Sequence, residues 1–305
     1  MKPARKTDVA AIGLGNWGAS LASALTNAGV PLREVVVLRQ ERSSRYPTVS
    51  WAKAALDAHI LWLCVPDSVI SEAAAHIVSR RDNLKGQIVV HSSGALTVNA
   101  LEPALRAGAT VASVHPVMTF PTRAVVPLDG VLFGVETSDH TTRRSLYSVI
   151  CRLGGTPFDI ASKDKALYHA AGTLASPLLV SALTAAIETA RLAGLDRKTA
   201  ARWVQSLAQT TSNNVFAHGP ARSFSGPFAR GDVGTIRLHL KALQAHPMLA
   251  DLYRSLAAYA LGALPVENAQ ALVEALRTPA ALKPDTVPRE AAETRLPHEK
   301  LKQRS

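Results

Sequence analysis

His115, Lys165 and His169 have the type and setting to move a proton. An unperturbed imidazole titrates near neutral pH, so it can give or take one. His115 falls where the apolar run Thr110–Val114 ends in His115-Pro116, the edge at which an open sheet binds ligands. The alternative is a histidine bonded to backbone beside Pro116. Lys165 and His169 are four residues apart, so on a helix they share one face. Lys165 reads equally as a solvated lysine at a helix end, with Lys163 close enough to blur the register, while His169 falls in an otherwise apolar stretch. Arg230 precedes a helix start in the loop Gly219–Asp232, where a guanidinium can hold a carboxylate through two hydrogen bonds. Arg230-Gly231-Asp232 is equally a structural turn with an N-cap. No H-E-x-x-H or other paired ligand spacing occurs, so no metal site is expected.

The stretch that must position these groups is Asp8–Gly18, DVAAIGLGNWG. Val9–Ile12 reads as a buried strand, and Gly13, Gly15 and Gly18 follow at G-x-G-x-x-G spacing. Trp17, Leu21 and Leu25 then repeat every four residues up to Gly29, a helical period with a glycine stop. Strand, glycine turn and helix form the context of a dinucleotide-binding fingerprint. Gly13 permits the tight turn, Gly15 lets backbone approach a pyrophosphate, and Gly18 lets the helix pack on the strand. The expected cofactor contacts are Gly13, Leu14, Gly15, Asn16, Trp17 and Gly18. The second strand, Glu34–Leu38, ends where a carboxylate would hold the ribose of NAD. Here stand Arg39, Ser43, Ser44 and Arg45, which suit a 2′-phosphate and favour NADP over NAD; Glu41 leaves a ribose contact open.

The rest of the first part reads as alternating strands and helices. Strands are expected near Thr48–Ser50 and at Ala58–Val65, Gly86–His91, Thr110–Val114, Val131–Glu136 and Thr156–Ile160. Helices are expected at Trp51–Leu56, after Pro66-Asp67-Ser68 to about Ser79, at Thr97–Arg106 and at Thr141–Leu153. That order predicts an α/β fold, a doubly wound, mostly parallel Rossmann sheet ending near Ala161. Asp67 or Ser68 is either a helix N-cap or a cofactor neighbour. Ser92 and Ser93, at another strand end, are placed to touch a nicotinamide ribose. Beyond Ala161 the pattern is helical: Lys163–Gly194 as one run apolar on nearly every face, then helices capped by Asp196 and Asp232, and two more at Pro247–Leu261 and Val266–Arg277. A helix apolar all round is buried in a core or at a subunit interface. Thr210, Thr211, Asn213 and Asn214 read as a solvated face. The division expected is 1–161, 162–278 and a disordered tail, 279–305.

The composition is that of a folded protein, 47% hydrophobic and 19% charged over 305 residues. The net charge of +11 is scattered, without zinc-finger or RNA-recognition spacing, which argues against nucleic acid. Cys64 and Cys151 read as buried free thiols of a reducing compartment, and the cytoplasm is expected. Glu188, Arg191 and Pro177 interrupt the apolar stretch from Ala166 to Leu195, against a membrane span.

Taken together, the glycine turn, Val65-Pro66-Asp67, His91-Ser92-Ser93-Gly94, His115-Pro116 with Thr119-Phe120, Lys165 with Tyr168-His169, and Gly226-Pro227 with Arg230-Gly231-Asp232 carry a resemblance. Over roughly residues 8–275 the chain resembles the superfamily of 6-phosphogluconate dehydrogenase, pyrroline-5-carboxylate reductase and ketopantoate reductase. Within it, the chain is similar to an uncharacterised Rossmann-like family with a helical C-terminal domain of unknown function. The resemblance implies an all-α dimerisation-type domain, a homodimer built on it, and a cofactor cleft between the domains. Val65, Pro66, Asp67 and Ser92 are the further cofactor contacts expected, and Ser93 and Arg230 the substrate contacts. In related dehydrogenases a lysine at the start of the long helix protonates the forming alkoxide, and Lys165 resembles it. Related sequences often carry Asn after the serine where this chain has Ser176-Pro177; the proline is expected to kink the helix. The function implied is transfer of a hydride between NADP and a small oxo acid, hydroxy acid or imine. The alternative is a dinucleotide-binding sensor or structural dimer without turnover.

Overall fold

A computed structural model describes residues 7–37 and 45–277. The expectations for Arg39, Glu41, Ser43 and Ser44, and for the tail, fall outside the described residues. The chain forms two compact units that divide between Leu178 and Leu179.

The first unit is an eight-stranded sheet. Its elements are β1 (Val9–Ile12), α1 (Asn16–Asn27), β2 (Leu32–Val37), β3 (Thr48–Ser50), β4 (Ile60–Leu63), α2 (Ile70–Arg80), β5 (Ile88–His91), α3 (Glu102–Arg106), β6 (Thr110–Pro116), β7 (Leu132–Glu136), α4 (His140–Arg152), β8 (Thr156–Asp159) and α5 (Lys165–Ala175). The strand order is β3-β2-β1-β4-β5-β6-β7-β8, parallel except between β6 and β7. This is the expected doubly wound, mostly parallel sheet.

The strands β1, β4 and β5 are buried throughout because both faces of the sheet are covered. Trp62 packs with Leu21 and Leu25 of α1 and Leu146 and Ile150 of α4 on one face. Leu61 and Leu63 pack with Ile70 and Ile77 of α2 and Ala104 of α3 on the other. Burying such a side chain stabilises by about 1.5–3 kcal/mol each. That rigid slab fixes the strand ends.

Several local expectations give way. Neither Asp67 nor Ser68 caps a helix: a 3-10 turn over Asp67–Val69 precedes α2, without a side-chain cap. The run from Thr97 starts as a 3-10 turn and becomes helical only at Glu102, where Pro103 sits in the first turn and loses no helical hydrogen bond. Trp51–Leu56 contributes only a 3-10 turn, Trp51–Lys53. Cys151 is exposed on α4 rather than buried, since its apolar neighbours Val149 and Ile150 take the inward face. The single helix expected from Lys163 to Gly194 is broken at Ser176 (φ −126°, ψ −87°), one residue before Pro177. A proline lacks the N–H that would continue the ladder and pushes its predecessor out of the α region.

Among described residues the second unit is helical: α6 (Pro177–Leu192), α7 (Arg197–His218), α8 (Pro220–Ser223), α9 (Val233–Ala242), α10 (Pro247–Ala263) and α11 (Ala269–Leu276). Asp196 caps α7 and Asp232 caps α9, each accepting from backbone N–H groups of the first turn. Core burial was one of two expectations for the apolar run, and it is excluded: Leu167, Leu174 and Val180 are each more than 60% exposed. By length and composition alone, Ser162–Leu192 is long and apolar enough to cross a membrane. Its first turn, however, is ion-paired to the sheet through Lys165.

Candidate functional site

The glycine turn sits at the C-terminal end of β1. Gly13 has φ +106°, where only glycine is unstrained, and a Cβ on it would also press on the carbonyl of Cys64. A Cβ on Gly18 would collide with the carbonyl of Gly13, so this glycine sets the approach of α1 to the strand. Gly15 faces open space. No side chain caps α1 and no acid lies in its first turn, which leaves N–H groups and a positive dipole end uncommitted. The three glycines thus have three different environments, and these suit a bound pyrophosphate.

Next to the turn lies a cleft of about 350 Å³ whose lining includes Asn16, Trp17, Asp67, Ser92, His115 and Phe120. Asn16 donates from Nδ2 to the Phe120 carbonyl (2.7 Å), tying the glycine turn to the loop after β6. Ser92 Oγ accepts from two indoles, Trp17 Nε1 and Trp62 Nε1, each at 2.8 Å. Leu14 packs with Ala11, Ala22 and Val35, so its side chain serves the core rather than the cleft.

His115 Nδ1 lies 2.7 Å from Tyr168 Oη. Burial, then the charges of His169 and Lys165, lower the His115 pKa to about 4, with Asp67 opposing. Burial pushes the Tyr168 phenol up to about 12. At neutral pH the imidazole is therefore neutral and the phenol protonated. The pair can hold its protons in two ways, with the phenol donating to Nδ1 or Nδ1–H donating to the phenol oxygen. His169 packs edge-on against His115 with ring centroids 5.9 Å apart.

Two glycines make room for this cluster. A Cβ on Gly94 would lie 2.8 Å from His115 Nε2 and 2.5 Å from His169 Cδ2, and one on Gly134 would lie 2.9 Å from Tyr168 Oη. Sequence reasoning missed Tyr168 as a site residue; its signal was Tyr168 beside His169, together with a glycine in the loop after β5 and one in the middle of β7.

Lys165 does not line the cleft. It is 1% exposed and its ammonium makes an ion pair with Glu136 (3.1 Å). It also donates to the Ser93 carbonyl (3.1 Å) and to Ser113 Oγ (2.5 Å), so its three N–H donors are committed. Burial lowers its pKa, and Glu136 opposes that. The solvated helix-end lysine does not describe it: α5 drives it into the sheet, where it meets Glu136. Glu136 Oε1 accepts from Val98 N–H and Ser162 O–H as well.

Ser93 is corrected in the same way. It is 4% exposed, and its hydroxyl donates to Asp67 Oδ2 (2.6 Å) while accepting from the N–H groups of Ala95 and Leu96. It braces the loop and fixes Asp67 rather than facing a substrate. His91 beneath it accepts at Nδ1 from Ser93 N–H and donates from Nε2 to the Thr97 carbonyl. Burial lowers its pKa to about 4. Arg230 stands exposed in the second unit, before the Asp232 cap.

A larger cavity of about 630 Å³ lies within the second unit, lined by alanines and leucines. Its one polar pair is His239 Nδ1 and Tyr253 Oη at 2.9 Å, so it lacks the converging groups of the smaller cleft.

A twisted parallel sheet with a glycine turn and polar groups at the carboxyl ends of its strands defines a protein of the Rossmann type. Comparison resolves this further. Residues 1–116 match the Rossmann-like domain, and residues 131–260 match DUF2520, a domain of unknown function. The chain joins these two domains. No curated protein matches the sequence.

Solved structures share the fold. A candidate NADP oxidoreductase from Bacteroides fragilis is 22% identical, with a TM-score of 0.68 over 83% of this chain and 97% of that one. Plasmodium falciparum pyrroline carboxylate reductase with NADP bound is 14% identical, with a TM-score of 0.59 over 88% and 95%. A reductive aminase from Aspergillus terreus in complex with NADPH and ethyl-5-oxohexanoate is 14% identical, with a TM-score of 0.58 over 89% and 100%.

Proposed function

We propose that this protein is an NADP-dependent oxidoreductase acting on a small carbonyl or imine compound. The observation that carries the reading is one edge of one sheet bearing both a phosphate-ready glycine turn and the His115–Tyr168 pair. Backbone N–H groups at Gly15, Asn16 and Trp17 would hold the pyrophosphate, and Asp67 and Ser92 would take the nicotinamide end. The cofactor, when bound, supplies the hydride. Tyr168 and His115 supply or remove the proton at the substrate's oxygen or nitrogen, as a neutral pair that needs no prior ionisation. Trp17 and Phe120, with ring centroids 5.1 Å apart, exclude water from the floor of the cleft. The preference for NADP rests on the Arg39–Arg45 segment and on the NADP and NADPH named for proteins of the same fold.

Titration of the purified protein with NADPH and with NADH, followed by nicotinamide fluorescence, tests this. Tighter binding of NADPH is expected. Preference for NADH would overturn the arginine argument, and binding of neither would overturn the function.

The proposal includes assembly as a homodimer in the cytoplasm. Val180, Trp203, Phe216 and Tyr259 of the second unit are each more than half exposed, apolar side chains that a second copy would cover. Light scattering at micromolar concentration should give twice the monomer mass; a monomer would refute it.

A further inference from the structure

Ser92 has a hydrogen-bond pattern that leaves it one use. A serine oxygen has two lone pairs and one hydrogen. Trp17 and Trp62 donate to that oxygen, so both lone pairs are taken. Among the described residues no protein group accepts the remaining O–H. Trp62 is fully buried, and its N–H has no other partner, so the serine cannot turn away without orphaning it. Two donors on one oxygen also polarise its O–H and make it a stronger donor. Ser92 lines the cleft with His115 and Asp67.

The charge of the cleft selects the acceptor. Asp67 is the one charged side chain among the described residues that line it, and its carboxylate is held there by Ser93. Lys165 is committed to Glu136, Ser93 and Ser113. A carboxylate seated here would face Asp67 without a lining cation, and the positive α1 N-terminus in the same cleft is taken by the pyrophosphate.

We infer that the Ser92 hydroxyl, turned outward by Trp17 and Trp62, is the donor that seats an uncharged acceptor, a carbonyl oxygen or imine nitrogen, beside His115. This rests on the oxidoreductase reading and narrows it, from oxo acids toward ketones, aldehydes and imines. The acceptor has two possible sources, the cofactor's carboxamide oxygen or the substrate's reacting group.

The test compares the full-length wild type with Ser92→Ala, Ser92→Thr and Trp62→Phe. The dissociation constant for NADPH is read by fluorescence. KM and kcat are read with cyclohexanone, with cyclohexanone plus methylamine, and with pyruvate.

If the acceptor is the carboxamide, Ser92→Ala weakens NADPH binding about tenfold. If it is the substrate group, NADPH binding stays unchanged and KM for cyclohexanone or its imine rises about tenfold. Ser92→Thr restores either. Trp62 does not line the cleft, so Trp62→Phe, which keeps an aromatic ring against Trp17, should shift the same constant about threefold by freeing the Ser92 hydroxyl. This variant decides the matter should Ser92→Ala unfold.

Unchanged constants in Ser92→Ala, or in a folded Trp62→Phe, overturn the inference while the cofactor reading stands. Preference for pyruvate overturns it too. Failure of the wild type to bind NADPH overturns both.

Discussion

Replacing Lys165 by Met separates two accounts of the same residue. Lys165 and Glu136 are 1% and 3% exposed and 3.1 Å apart. Removing the ammonium leaves a carboxylate in the core of the sheet, and breaking a buried pair from one side costs about 3–5 kcal/mol. Glu136 keeps two donors, Val98 N–H and Ser162 O–H, which places the loss near the lower end, about 3 kcal/mol. The Ser93 carbonyl and Ser113 hydroxyl also lose a partner. Lys165→Met with Glu136→Gln removes both charges while an amide oxygen still accepts at Val98 and Ser162. The double variant should recover about half of the loss, since charge and partner go together. Urea unfolding followed by circular dichroism measures all three proteins against wild type. A Lys165→Met protein as stable as wild type to within about 0.5 kcal/mol, yet inactive, would refute the structural account and return the lysine to the chemistry.

Gly15→Val should leave the melting temperature within about 2 °C and abolish NADPH binding, because its Cβ meets only open space; Gly18→Ala should lower stability by more than about 1 kcal/mol. Tyr168→Phe should lower kcat by about 100-fold or more with little change in NADPH affinity, read by steady-state kinetics and fluorescence. The wild-type rate should be flat from about pH 5 to pH 10, since His115 titrates near 4 and Tyr168 near 12; an acid limb near 6.5 would contradict the buried, neutral imidazole. His91 and His115 bind protons in the unfolded chain below about pH 6.5 but in the folded one only near 4. Stability should therefore be complete above pH 6.5 and fall toward pH 4, by as much as about 3 kcal/mol per histidine, and His91→Asn should flatten that slope in unfolding curves.

What the sequence disclosed, and what it hid, follows from the range of the interactions. The strands β1, β4 and β5 and the glycine turn are written in local patterns, apolar runs and glycine spacing, and these were legible. The caps at Asp196 and Asp232 are likewise local. The roles of Lys165, Asp67 and Ser93 depend on partners 26 to 72 residues away, and a side chain that meets its partner only across the sheet shows no local sign of it. Lys165 was placed on the right helix, and its burial against Glu136 was hidden for that reason. Tyr168 was overlooked because a tyrosine on a helix reads as packing until His115 is seen 2.7 Å away.

The domain matches and the compact units do not share a boundary. The Rossmann match ends at residue 116 and the DUF2520 match begins at residue 131, yet β7, β8 and α5 continue the first unit to Leu178. An exchange of gene segments at residues 117–130 would part β6 from β7 and Lys165 from its carbonyl at Ser93, and would separate His115 from Tyr168. An exchange at Ser176, where the helical ladder is already interrupted, would carry the sheet and its proton-handling pair intact. A swap at the helix break therefore keeps the sheet and its proton-handling pair together, and one at the gap between the two domain matches divides them.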